Sequence, residues 1–328
     1  MRAAFYERTG PAREVLQLAE LATPEPGTGE VGVRLSTSGV NPSDVKARAG
    51  LRSKELPFPR IVPHSDGAGV IDRVGEGVPA ARVGERVWVW NAAWKRAYGT
   101  AAQYVVLPAG QAVTLPPGVP FDAGACLGIP ALTALHAVRM DGGVEGKSVL
   151  VTGGAGAVGH YAVQMAKLAG ARRVFATVSS DAKAMLALQA GADQVIDYRH
   201  DDVAAHVLRL TGNEGIDRVI EVDFAANVNA SLTAVRPEGD IVVYGSGKPE
   251  IAVPFFPSIL KNVRLRFFIV YNLAAADRAA AVGQLTSWLR EGRLQHVVAA
   301  RLPLDSIAEA HELVESGRIV GNVVLQIL

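Results

Sequence analysis

The sequence predicts an α/β fold in which a doubly wound parallel sheet is inserted in a β-rich domain. Three observations carry this. The first 118 residues hold short, alternating apolar runs between turn residues. Beyond them, β-branched runs alternate with segments of helical spacing, the pattern of a parallel sheet covered on both faces. The tail after residue 262 is too short to build a domain of its own.

In the first part, Val31–Leu35, Ala68–Ile71, Arg86–Trp90 and Tyr104–Leu107 read as strands. Turns at Pro24–Gly27, Gly75–Gly77 and Pro116–Gly118 separate them. In the second part, Val149–Thr152 is followed by a glycine turn and a helix near 158–170. Strands Val174–Val178, Gln194–Ile196, Asp217–Glu221 and Asp240–Tyr244 come next, with helices near 181–190, 201–211 and 226–235 between them. Leu265–Val270 reads as a sixth strand, and the tail offers two helices and a last strand, Asn322–Ile327. The expected division is 1–118, then 119–262 for the inserted unit, then 263–328 returning to the first domain. A cleft between two such domains is a favoured ligand site.

Composition narrows the function classes. Of 328 residues, 49% are apolar and 20% charged, which supplies a core and excludes a disordered chain. A net charge of +1 gives no whole-protein field for nucleic acid or an anionic membrane. The single cysteine, Cys126, excludes an intrachain disulfide, and its Ala125-Cys126-Leu127 setting reads as a small buried hydrophobe. The N-terminus has no apolar signal core, and no uncharged apolar run reaches the roughly 18 residues of a membrane span. A cytoplasmic protein with no membrane partner is expected.

The chemistry concentrates in Gly154-Ala155-Gly156-Ala157-Val158-Gly159. This G-x-G-x-x-G follows a predicted strand and opens a predicted helix, the context that gives it meaning. Glycine lets the backbone turn sharply and approach a pyrophosphate, while the helix N-terminus offers free N–H groups and partial positive charge. Where the next strand ends, a cofactor lacking the 2′-phosphate calls for a carboxylate to bind the ribose. Here Ser179 and Ser180 stand instead, Asp181 reads as the cap of the following helix, and Lys183 follows. Hydroxyls and a lysine suit a 2′-phosphate, so NADP(H) is expected.

Together with this loop, the segments Gly39-Val40-Asn41-Pro42-Ser43-Asp44, Ser65-Asp66-Gly67-Ala68-Gly69-Val70, Gly84-Glu85-Arg86-Val87 and Gly128-Ile129-Pro130-Ala131-Leu132-Thr133-Ala134 resemble the medium-chain dehydrogenase/reductases. Within them the likeness is to the zeta-crystallin-like quinone oxidoreductases, over essentially the whole chain. The resemblance implies a Rossmann-type unit inserted in a GroES-like catalytic domain, a cofactor held between domains, and a homodimer. It places Tyr198 near the adenosine, and Asn229, Gly245, Ser246, Phe268 and Val270 along the nicotinamide half. Asn41 and Thr133 match positions beside the reactive ring. Phe268 and Val270 read equally as core strand residues, and Asn41, before a proline, as a turn residue.

The zinc alcohol dehydrogenases of this superfamily carry Cys at the position of Asn41, His-Glu at Ser65-Asp66, and a Cys or acid near Ile129. Amide, hydroxyl and alkyl groups do not make the three-ligand set a catalytic zinc needs, so no metal is expected. His64, beside the lost ligand position, reads as a hydrogen-bonded structural histidine. Without a Lewis acid a simple ketone is a difficult substrate, but a quinone or conjugated carbonyl takes hydride to give a delocalised oxyanion. The candidate groups near the ring are Asn41, Asp44, Lys46 and Arg52. The family often has Tyr at the last two positions; here two cations either favour a polar acceptor or extend into solvent. Trp88, Trp90 and Trp94 either wall the acceptor or pack in the core. Two rival readings stay open: a 2-alkenal or enoyl-thioester reductase with a basic groove from Lys46, Arg48, Arg52 and Lys54, and a non-enzymatic NADPH-binding protein.

Overall fold

Six strands, the inner ones rich in Val, Ile and Ala, lie in one parallel sheet because helices cover both of its faces there. They are β1 (Ser148–Val151), β2 (Arg173–Val178), β3 (Gln194–Asp197), β4 (Ile216–Glu221), β5 (Val235–Val243) and β6 (Arg264–Phe267). Their order is β3-β2-β1-β4-β5-β6, all pairs parallel. That order reverses beside β1, which places a crevice at the carboxyl ends of the strands. Five helices connect them in turn: α1 (Gly159–Leu168), α2 (Asp181–Gln189), α3 (Val203–Leu210), α4 (Phe224–Ala234) and α5 (Phe255–Leu260). Leu150, Phe175, Ile196, Val219 and Ile241 form the core between sheet and helices.

The computed structural model describes residues 1–327, in two units: 1–130 with 286–327, and 131–285. Residues 119–130 thus group with the first unit, and 263–285 with the sheet just described.

The first unit holds a seven-stranded sheet. Its central strand, Glu30–Val40, pairs with Asp66–Val74, with Tyr104–Pro108 and, antiparallel, with the terminal strand Asn322–Gln326. Val298–Pro303 extends the sheet beyond that last strand. The tail therefore completes the sheet of the first unit through Val323 opposite Val40. Trp88 is wholly buried in the strand Arg86–Val89, whereas Trp90 lies beyond the strand and is half-buried.

One helix absent from the sequence reading, Pro42–Arg48, follows the central strand. Asn41 caps it, Pro42 opens it, and the Asp44 side chain returns to the cap backbone. This reciprocal box satisfies orphan donors of the first turn. It fixes Asn41 and Asp44 at the end of the longest strand of the sheet.

Candidate cofactor and active site

The turn after β1 is shaped by close approach. A Cβ on Gly154 would lie 2.5 Å from the Ala176 Cβ, and one on Gly159 only 2.1 Å from the Gly153 carbonyl oxygen. Residues 154–159 therefore pack the start of α1 directly against β1 and β2, with Ala157 and Val158 just before the helix. The helix N-terminus opening on this turn is the anion-binding feature the motif predicts, although the His160 N–H is taken by the Gly156 carbonyl at 3.0 Å.

At the end of β2 the two serines take different jobs. Ser180, not Asp181, is the cap of α2: its hydroxyl accepts from the Lys183 N–H at 3.4 Å, and Asp181 is the first helical residue. The expectation for Asp181 is corrected accordingly. Ser179 is buried, and its hydroxyl accepts from the Lys183 ammonium at 3.0 Å. Tyr198, after β3, stays half exposed and lines a cavity of about 190 Å³ with Gly153, Thr177, Val222, Asp223 and Asn227. The last three escape the sequence reading. Their signal is only their place: the residues just after the strand next to β1 in a doubly wound sheet.

The residues assigned to the nicotinamide half also lie in this unit. Gly245 sits so close to the turn after β4 that a Cβ would be 2.2 Å from the Val222 carbonyl oxygen. The Ser246 hydroxyl donates to the Lys248 carbonyl at 2.7 Å. Phe268 meets His136 edge-on at 4.8 Å, Val270 is buried, and Thr133 is buried on the helix Leu132–Arg139. Asn229 is exposed on α4, while its neighbour Asn227 turns inward toward Glu221.

In the first unit, Asn41 is held between two carboxyls. Its backbone N–H donates to Asp44 at 2.9 Å and its side-chain amide donates to Asp66 Oδ2 at 3.0 Å. The Ile129 N–H donates to the same oxygen at 2.9 Å. Asp66 Oδ1 has no partner and presses on Gly128, where a Cβ would come within 2.3 Å. Burial, reinforced by Asp44, raises the Asp66 carboxyl well above the usual range. Burial also raises Asp44 to about 7, against the opposing pull of the Asn41 N–H and Arg52. Lys46 is half-buried and Arg52 exposed.

Arg48 is not available to a ligand. It is fully buried, donating to the Gly10 carbonyl and paired with Glu315. The basic groove expected for a thioester carrier loses its inner member. His64 is structural: Nδ1 meets the Ser38 hydroxyl at 2.9 Å and Nε2 meets His311 Nε2 at 2.9 Å. Burial pushes His64 down to about 3. Cys126 is buried and its thiol donates to the Asp122 carbonyl. Among the described residues, no three His, Cys, Asp or Glu side chains converge as a metal site.

Residues 27–117 match the family model for the alcohol dehydrogenase GroES-like domain, and 157–287 the model for zinc-binding dehydrogenases. The quinone oxidoreductase of Pongo abelii is 30% identical over 99% of this chain and 97% of its own. The solved structure of an NAD-dependent alcohol dehydrogenase superposes with a TM-score of 0.92 at 33% identity, with 100% of both chains covered. Escherichia coli quinone oxidoreductase complexed with NADPH gives 0.88 at 26% identity, again over 100% of both chains. The chain belongs to the medium-chain dehydrogenase/reductase superfamily and is a quinone-oxidoreductase-like enzyme of it.

Proposed function

We propose that this enzyme is a zinc-independent reductase that passes hydride from NADPH to a quinone or another conjugated carbonyl. The observation that carries the cofactor reading is the Lys183–Ser179 contact at the end of β2, where the two positions after the strand are Ser179 and Ser180 and the nearest carboxylate, Asp181, is already helical. A buried hydroxyl and an ammonium at 3.0 Å form a ready pair for a dianionic phosphate. When bound, NADPH supplies the hydride.

The chain's own residues have separable tasks. The 154–159 turn and the N-terminus of α1 would hold the pyrophosphate, with Ser179 and Lys183 on the 2′-phosphate, Ser180 fixing their turn, and Tyr198 beside the adenosine. Thr133, Asn229, Gly245, Ser246, Phe268 and Val270 would border the nicotinamide half. Asn41, Asp44, Lys46 and Arg52 are the proposed acceptor-side groups. Hydride addition to a quinone or an enone β-carbon leaves an oxyanion that hydrogen-bond donors stabilise and water protonates. Independence from zinc is supported by the donor set. Asn41 and the Ile129 N–H already satisfy one Asp66 oxygen, and burial favours the neutral acid over the carboxylate a metal needs.

The same reading makes the enzyme a cytoplasmic homodimer. No described helix is long and apolar enough to cross a membrane. Strand β6 is an open sheet edge carrying an exposed Phe267, and Phe255, Phe256 and Leu260 are exposed on the helix just before it. Such an edge calls for a cover, and a second copy supplies one. A monomer in light scattering would remove that part.

The reaction is tested by following NADPH oxidation against quinones, an enone, a 2-alkenal and an enoyl thioester, with and without a chelator. Chelator-insensitive turnover of quinones or enones is expected. Nucleotide binding without turnover of any acceptor would favour a binding protein instead.

A further inference from the structure

Glu221, the last residue of β4, is completely buried yet ringed by donors. Its Oε1 accepts from the Thr152 hydroxyl at 2.9 Å, the Asp223 N–H at 2.8 Å and the Asn227 amide at 2.9 Å. Its Oε2 accepts from the Ser231 hydroxyl at 2.8 Å. Thr152 in turn accepts from the Val222 N–H at 2.9 Å. One carboxylate thus ties the residue before Gly153 to the turn after β4 and to the first two turns of α4. The four donors, Thr152, Asp223, Asn227 and Ser231, all line the cavity of about 190 Å³.

For stability alone, an apolar side chain with apolar neighbours would serve as well as this buried charge. What the carboxylate adds is geometry, since four directional bonds fix two turns and the start of α4 at one spacing. We propose that Glu221 is a positioning residue of the nucleotide site, holding the Gly153 turn against α4 at the separation that the adenosine end of a nicotinamide dinucleotide fits. It does so without touching the nucleotide. The inference rests on reading this cavity as part of the cofactor site, but not on the choice between NADPH and NADH.

The test compares Glu221→Ala, Glu221→Gln and Thr152→Val with Ile216→Val, a core truncation at the far end of β4. Binding of NADPH and NADH, KM against kcat, and melting temperature are measured for each. Glu221→Ala is expected to weaken both nucleotides by about tenfold or more, with kcat at saturation largely kept. Thr152→Val should weaken both to a smaller degree. Glu221→Gln should bind close to wild type, because its amide oxygen still accepts from Thr152, Asp223 and Asn227 while the Ser231 hydroxyl rotates to accept one of the new N–H groups. Ile216→Val should lower the melting temperature without changing nucleotide binding. A folded Glu221→Ala that binds both nucleotides as well as the wild type overturns the proposal; should Glu221→Ala fail to fold, Thr152→Val with wild-type affinity overturns it. Wild-type protein that binds neither nucleotide overturns the cofactor reading as well, whereas a wild-type preference for NADH overturns only the phosphate assignment.

Discussion

The Lys183 ammonium donates to the Ser179 hydroxyl at 3.0 Å, four residues back across the cap of α2. Both polar groups sit where the strand next to the glycine turn ends, the place where a dinucleotide's second ribose is read. Lys183→Ala should therefore weaken NADPH by about 10- to 100-fold and leave NADH nearly unchanged. Ser179→Asp should reverse the preference by placing a carboxylate against the phosphate. Titration with both nucleotides checks the pair.

Asp44 gives the first unit a pH dependence of definite sign. Its carboxyl rises from 3.8 to about 7 on folding, mainly by burial. The folded state then binds the proton more tightly, so stability is full below about pH 4 and falls as the pH rises through about 7. Asp44→Asn keeps an oxygen for the Asn41 N–H and removes the buried charge. It should stabilise the protein at pH 8, by at most about 4 kcal/mol, and have little effect at pH 4. Urea unfolding at the two pH values measures this.

The His64–His311 pair acts in the opposite direction. Burial depresses both imidazoles, His64 to about 3, and His311 is lowered further by His64 and Arg48. Their contribution is present above about pH 6.5 and lost as the pH falls toward 3. His311→Gln should flatten the loss of stability between pH 6 and 4, even though it weakens the protein at neutral pH. An acid limb as steep as that of the wild type would show that other groups carry it.

Arg48 should matter for folding and not for substrate. Its guanidinium is buried against Glu315 and the Gly10 carbonyl. Arg48→Ala should destabilise by on the order of 3 kcal/mol, with the acceptor KM unchanged. A rise in KM for a thioester acceptor alone would restore the basic-groove reading.

The parallel sheet was legible because its inner strands, such as Ser148–Val151 and Arg173–Val178, are buried on both faces and read as apolar runs beside a helical repeat. The glycine turn was legible because close approach tolerates no other residue at Gly154 and Gly159. The helix at 42–48 was not read, because Asn41 before Pro42 fits a turn as well as it fits a helix cap. Edge strands such as Val298–Pro303, half exposed along their length, carry little signal of their own and depend on a partner found only on folding. The site polar contacts were hidden for a similar reason. Asp66 meets Asn41 across 25 residues of chain, and His64 meets His311 across 247. Glu221 reads in sequence as an ordinary acid at a strand end, and only its four donors give it away.

The most direct test of the central claim is the ratio of kcat/KM for NADPH over NADH, measured with a quinone acceptor in the presence of chelator. Turnover that the chelator leaves unchanged is expected, with a ratio well above one that collapses in Lys183→Ala. A ratio at or below one, or activity abolished by the chelator and restored by zinc, would contradict it.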